Sequence, residues 1–62
     1  MKQIKLLVER GWILEMYMGS EGFFYVSASH NTWGDAEGAD IDLQEAIKQM
    51  FKQAKELEGE WE

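Results

Sequence analysis

The chain has 62 residues, no cysteine and a formal net charge of −6 at pH 7. Its length predicts one small domain, and the lack of cysteine excludes disulfides and thiolate metal sites. The acidic excess argues against direct binding to nucleic acid, because such binding needs a basic surface that displaces counterions from the phosphates.

The same acidity favours a protein partner that is basic or that itself binds nucleic acid, since opposite charges speed encounter. Acidity also simply keeps a small protein in solution. A core of this size contributes only about 3–5 kcal/mol, so we expect support from a partner or a homodimer. The apolar run at residues 6–8 is too short for a secretory or membrane segment. We therefore expect a cytoplasmic protein, in the host cytoplasm if a phage encodes it.

The first half of the chain has the two-residue periodicity of β-strands. Residues 3–9 place apolar side chains on one side and predict a first strand, followed by a bend at Arg10 and Gly11. Residues 12–18 and 23–29 alternate more clearly and are rich in aromatic and β-branched side chains. They predict two strands joined by a tight turn.

The second half predicts a loop and one helix. Glycines indicate a loop over residues 30–38, with a short edge strand near residues 36–39 as an alternative. Apolar residues at helical spacing predict a helix over residues 43–57. Asp42 is its expected N-cap, Glu45 completes a capping box, and Gly59 is the expected stop.

These elements predict an α+β fold: a small antiparallel β-sheet of about three strands with one C-terminal α-helix packed on one face. The helix has a single apolar stripe, so it can cover only one side of the sheet. The face expected to meet it carries the more apolar set of strand residues: Trp12, Leu14, Met16, Met18, Phe24, Val26 and Ala28. The opposite face then exposes Ile13, Tyr17, Phe23 and Tyr25, an aromatic patch that calls for a partner.

The sequence has no motif of a common catalytic, metal or cofactor site. His30 is the only histidine, and its neighbours form no recognisable catalytic pattern. Started at Asp35, the EF-hand template fails because glycine comes too early; started at Asp40, it fails because Glu45 stands where glycine is required. No glycine loop has the spacing that cradles phosphates. We therefore expect neither an enzyme nor a cofactor.

Methionine and tryptophan are the remaining candidates for binding. We expect Met16, Met18 and Met50 to fill the interior, because they alternate with core positions. Trp33 either folds back over the helix or projects as a partner anchor. Trp61, in the acidic tail, is either an interaction hook or a cap on the core.

Three stretches resemble HicB-like antitoxin domains. Residues 12–18 look like that family's first strand, the run GFFYVS at 22–27 is similar to its G-Y-Y-V-type second strand, and DIDLQEAI at 40–47 is similar to the opening of its helix. The resemblance implies a partial RNase H-like fold that binds a small basic toxin ribonuclease and blocks it. The family's usual C-terminal DNA-binding domain has no counterpart here, so we expect no DNA autoregulation.

We therefore expect a non-enzymatic acidic protein that binds and inhibits a partner protein. One version is an antitoxin-like domain; another is a phage-encoded inhibitor of a host defence system, anti-CRISPR-like, that mimics nucleic acid. From a different class, a structural subunit would dimerise through the aromatic face. The candidate partner-binding residues are Tyr17, Phe23, Tyr25, Trp33, Asp35, Glu37 and Asp40.

Overall fold

A computed structural model describes residues 2–59 as a single sheet flanked by two helices. The elements are α1 (Lys2–Glu9), β1 (Ile13–Met18), β2 (Phe24–His30), β3 (Gly34–Asp40) and α2 (Leu43–Glu58). The strands form one antiparallel sheet in the order β1-β2-β3. Helix α2 packs on β3 and β2, and α1 contacts α2 and β1. The predicted α+β class is confirmed, with its C-terminal helix on an antiparallel sheet; the prediction for Trp61 lies outside the described residues.

The strand register decides which side chains share a face of the sheet. Met16 lies opposite Val26, which lies opposite Gly38, and Tyr17 lies opposite Tyr25. Because side chains alternate along a strand, Met16, Val26 and Gly38 lie on one face of the sheet and the tyrosine pair lies on the other. Val26 and Gly38 are buried under α2, so the helix covers the predicted face.

Helix α2 has the predicted caps. The Asp42 carboxylate accepts a hydrogen bond from the backbone N–H of Gln44 at 2.9 Å, which satisfies one of the free donors of the first turn. At the other end Gly59 has a left-handed φ of 72° and donates its N–H to the Lys55 carbonyl. Such a conformation is open to glycine at little cost. The helix ends one residue beyond the predicted stretch.

The contact predicted for Glu45 in the capping box is wrong. The backbone N–H of Asp42 donates to the Asp40 carboxylate at 3.0 Å, so the group that Glu45 was expected to satisfy already has an acceptor. Glu45 forms an exposed ion pair with Lys48 instead. The last residue of β3 therefore helps to start α2.

The core lies between α2 and the sheet, with a contribution from α1. Small side chains on β3 allow α2 to approach closely: a Cβ atom on Gly38 would collide with the Ala46 carbonyl and would lie 2.8 Å from the Met50 nitrogen. The buried apolar residues are Leu7, Trp12, Val26, Ala28, Ala36, Ala46, Ile47, Met50 and Ala54.

Helix α2 also closes the outer edge of β3. The backbone N–H of Glu37 donates to the side-chain carbonyl of Gln53 at 3.1 Å. The backbone N–H of Ala39 donates to the side-chain carbonyl of Gln49, also at 3.1 Å. These two amides point away from β2 and take side-chain acceptors where a further strand would otherwise supply them.

The prediction of a strand over residues 3–9 is wrong, because this segment forms α1. Leu7 is fully buried, whereas Leu6 and Val8 are exposed. Ile4 packs against the same core cluster as Leu7, and the two are three residues apart, as neighbours on a helix face are. The alternation of Leu6 and Val8 therefore does not indicate a buried strand face.

The prediction of a loop over residues 30–38 holds only for the turn at residues 31–33. It is wrong for residues 34–38, and the alternative of a short edge strand near residues 36–39 understated the strand's length. Residues 34–40 form β3, paired with β2 along its whole length. Ala36 and Gly38 are buried, whereas Asp35 and Glu37 are exposed, so the two-residue period is present. The residues at these alternating positions are small or acidic, and both types are depleted in strands.

Two of the three methionines do not fill the interior, contrary to prediction. Met16 and Met18 are 47% and 61% exposed, whereas Met50 is 1% exposed. Both exposed side chains lie on the helix-covered face of β1, but α2 crosses β2 and β3. The close fit at Gly38 holds the helix on the β3 side, so the end of β1 stays uncovered.

Candidate protein-binding surface

We call the sheet surface opposite α2 the open face. Strand alternation and register assign to it Ile13, Glu15, Tyr17, Tyr25, Ser27, Ser29, Asp35, Glu37 and Ala39. Neither helix packs on this surface within residues 2–59, because α2 covers the other face. Four of the predicted partner-binding residues lie on it.

A stacked pair of tyrosines is the centre of the open face. The rings of Tyr17 and Tyr25 have centroids 5.3 Å apart and an interplanar angle of 17°. Tyr17 is 62% exposed, whereas Tyr25 is half-buried and its ring lies over Gly19, where an added Cβ would come within 2.6 Å of it. Stacked aromatic rings lose little conformational entropy on binding, which suits them as anchors for a partner.

Carboxylates line the open face beside the tyrosines. Glu15 and Glu37 both lie opposite Ser27, one on each neighbouring strand, and Asp35 lies opposite Ser29. All three acids are exposed. Glu15 is absent from the predicted set although its alternation with Tyr17 already placed it on this face.

The six basic residues of the chain lie away from this surface. None is in a strand: Lys2 and Lys5 belong to α1, Arg10 follows it, and the other three are in α2. The lysines and Arg10 thus lie outside the strands, and the charged side chains on the open face are carboxylates. Such a field favours basic partners on the sheet side.

Two predicted site residues lie close to the hairpins rather than among the acids. Phe23 immediately precedes β2 and is half-buried, and its carbonyl accepts the Gly19 N–H at 2.8 Å. Trp33 is half-buried, packs against the core, and has its ring centroid 6.1 Å from that of His30. Of the two alternatives for Trp33, the structure has the tryptophan folded back.

Asp40 lies on the helix-covered side of β3 and not on the open face. It is half-buried, and its carboxylate accepts from the backbone N–H of Asp42 and from the side-chain amide of Gln49 at 3.4 Å. Its contacts start α2, so we leave it out of the proposed surface.

His30 joins two turns of the chain. Its Nδ1 atom accepts the backbone N–H of Thr32 at 3.0 Å, so Nε2 carries the proton and donates to the Arg10 carbonyl at 3.1 Å. The imidazole also lies 5.3 Å from the Trp12 ring. Both ring nitrogens are thus engaged with the backbone in the neutral tautomer, which is a structural use of the side chain.

Within residues 2–59, no group of three or more histidine, aspartate or glutamate side chains is placed to hold a metal ion. None of the helices over the same residues has the length and apolarity needed to cross a membrane.

No protein-family model, curated protein or solved structure matches the chain. The resemblance to HicB-like antitoxin domains rests on the motifs at residues 12–18, 22–27 and 40–47 alone.

Proposed function

We propose that this chain is a non-enzymatic protein that binds a basic partner protein through the open face and inhibits it. The observation that carries the proposal is the placement of the stacked Tyr17–Tyr25 pair beside Glu15, Asp35 and Glu37 on a surface without a cation. Aromatic anchors supply contact area at the centre of interfaces, and surrounding charges set orientation and speed encounter.

In the antitoxin-like form of the proposal, the partner is a small basic ribonuclease in the cytoplasm, as the HicB resemblance implies. The tyrosine pair would dock against the enzyme, and the carboxylates would face its cationic RNA-binding surface. Inhibition would follow from occupying the surface that the RNA substrate needs. A titration of purified toxin with this chain would then abolish RNA cleavage at one equivalent of binding sites.

The alternative is a phage-encoded inhibitor of a host defence system, which occupies a basic nucleic-acid groove. The concentration of carboxylates on a sheet that holds no lysine or arginine favours this version. Salt separates the two. Binding dominated by charge weakens steeply as ionic strength rises, whereas binding centred on the tyrosines changes little.

Site-specific photo-cross-linking in the source cell tests the surface. A photoreactive phenylalanine analogue replaces Tyr17 on the open face in one variant. In the matched control it replaces Lys48, which is exposed on α2. We expect one basic protein to be captured from position 17 and not from position 48. Capture from both positions alike, or from position 48 alone, would contradict the proposal.

Once that protein is identified and purified, neutralising the acids tests their part. The double variant Asp35→Asn, Glu37→Gln keeps the shape of β3 and removes two charges. We expect about a tenfold slower association at low salt and little difference at high salt. An unchanged association rate at low salt would remove the acids from the interface and leave only the tyrosines.

A further inference from the structure

The outer edge of β1 presents backbone hydrogen-bonding groups away from the sheet. The amides of Glu37 and Ala39 point to α2, so the even-numbered residues of β3 form the hydrogen bonds to β2. By the register, the even-numbered residues of β2 bond to β3 and its odd-numbered residues bond to β1. Alternation in an antiparallel ladder leaves the N–H and C=O groups of residues 14, 16 and 18 facing outward.

Strand β1 contains neither lysine nor proline, two of the residues that usually protect an edge strand against pairing. Edge strands of monomeric proteins are kept short, covered, or interrupted by lysine, proline or a bulge. Strand β1 has the sequence ILEMYM, with Glu15 as its single charge. Its side chains are exposed on both faces: Ile13 is 67%, Met16 47%, Tyr17 62% and Met18 61% exposed.

We propose that β1 pairs in antiparallel fashion with β1 of a second copy of this chain, so that the two sheets become one. The charge distribution selects a second copy over a basic partner strand. One carboxylate on β1 offers a basic strand little attraction, whereas Asp35 and Glu37 lie on β3, at the far side of each sheet.

Pairing through β1 also separates the Asp35 and Glu37 carboxylates of the two copies. In the strand order β3-β2-β1-β1-β2-β3, the outer strands are five spacings of about 4.8 Å apart, or roughly 24 Å. Charges at that distance are screened, because the Debye length at physiological salt is about 8 Å. Although each chain has a net charge of −6, the β3 carboxylates of the two copies therefore do not oppose association at this edge.

Glu15 selects the register. Outward-facing residues pair only with outward-facing residues, so the longest symmetric pairings align residues 13–17 or residues 14–18 with themselves. The first places Glu15 opposite its own copy, and like charges directly opposite are destabilising. The second places Met16 on the two-fold axis and Glu15 opposite Tyr17 of the other copy, so that the two Glu15 carboxylates are only diagonal neighbours and repel each other less.

The dimer has a consequence for the open face. The Tyr17–Tyr25 pairs of the two copies lie side by side at its centre, and the Asp35 and Glu37 carboxylates flank it at both ends. A chain of this size without disulfides also gains the apolar burial that it lacks alone, because Met16 and Met18 of both copies become covered. The dimer itself does not depend on the proposed partner.

The test is sedimentation velocity of the full chain over a range of concentrations. We expect the wild type to sediment with twice the mass of one chain. We expect Met16→Lys to be monomeric, since it places a charge on the two-fold axis. The matched control is Ile41→Lys, the same kind of change at a residue that is 68% exposed outside the strands. We expect it to remain dimeric.

A second variant tests the register without depending on the stability of a charged strand. The chain has no cysteine, so Met16→Cys introduces a single thiol, and antiparallel pairs of this kind have Cα atoms about 5.5 Å apart, within the range that a disulfide spans. We expect mild oxidation to link Met16→Cys into dimers and to leave Ile41→Cys largely unlinked. A monomeric wild type overturns the proposal, and so does equal cross-linking of both cysteine variants. If the wild type is monomeric and Met16→Lys abolishes cross-linking of the partner protein, β1 pairs with a partner's strand instead.

Discussion

The two outer strands of this sheet differ in composition and in how they are covered. Strand β3 has the sequence GDAEGAD, made of residues that are rare in strands, yet α2 packs on it and caps its outer amides through Gln49 and Gln53. Strand β1, ILEMYM, contains the strand formers Ile13 and Tyr17 and larger apolar side chains, and it has an open edge. The strand with the weaker intrinsic propensity has the stronger tertiary support.

This difference follows from how one narrow helix can be placed on three strands. An apolar stripe of one helix covers only part of such a sheet. Gly38 and Ala36 lower the surface of β3, so α2 comes closest there. The larger side chains of Met16 and Met18 then project beyond the reach of α2. The small residues of β3 and the open edge of β1 are thus two results of one packing choice.

The largest expected effect comes from blocking the close approach at Gly38. Gly38→Val should destabilise the fold by about 3 kcal/mol or more, because the new side chain would overlap the Ala46 carbonyl and the backbone at Met50. The matched control is Ala39→Val, the same β-branched residue on the exposed face of the same strand, which should change stability by less than about 0.5 kcal/mol. Urea unfolding followed by circular dichroism measures both. Similar midpoints for the two variants would show that α2 is not held at Gly38.

The secondary structure could be predicted from the sequence wherever period and chemistry agree. Helix α2 has both an apolar stripe and matching caps at Asp42 and Gly59, and its prediction is confirmed. The β1–β2 hairpin has alternation and aromatic residues, and it too is confirmed. Strand β3 has the alternation but not the chemistry, because its buried positions must be small to admit the helix.

The site could be predicted only in part, because faces follow from alternation while neighbours across strands follow from register. Tyr17 and Tyr25 are placed on one face by their own strands. That Asp35 and Glu37 share this face, and Asp40 does not, depends on β3 being a strand. The open edge of β1 could not be predicted at all, because the sequence does not say across which strands α2 lies.

A smaller loss of stability is expected when the hydrogen bond that links α2 to Trp12, next to β1, is removed. The Trp12 indole N–H donates to the Glu58 carboxylate at 2.9 Å, and Arg10 pairs with the same carboxylate at 2.7 Å. The Glu58 side chain is only 4% exposed. Trp12→Phe removes the indole donor to a buried charge and should cost about 2 kcal/mol.

Trp33→Phe is the control for this tie. Trp33 is a half-buried tryptophan that packs against the same core, so the substitution removes the same ring volume. Its cost should be clearly smaller when both variants are unfolded in urea under the same conditions. Equal costs would mean that the Trp12 effect is a packing loss, and that the contact with Glu58 does not hold α2 towards β1.

The smallest loss of stability is expected when the edge of β3 is opened. This change tests the difference between the two edges most directly. Gln49→Ala with Gln53→Ala removes both side-chain acceptors and should cost about 0.5 kcal/mol for each of these exposed hydrogen bonds, or about 1 kcal/mol together. Gln44→Ala, in the exposed first turn of the same helix, makes the same substitution without touching β3 and should be neutral. Hydrogen exchange gives the local measurement: the amides of Glu37 and Ala39 should exchange faster in the double variant alone.

The same double variant can be tested in the Met16→Lys background, in which the β1 edge is blocked. There it should regain some self-association, because the β3 edge that α2 normally closes would be open. Unchanged exchange at residues 37 and 39 would contradict the view that these glutamines protect β3.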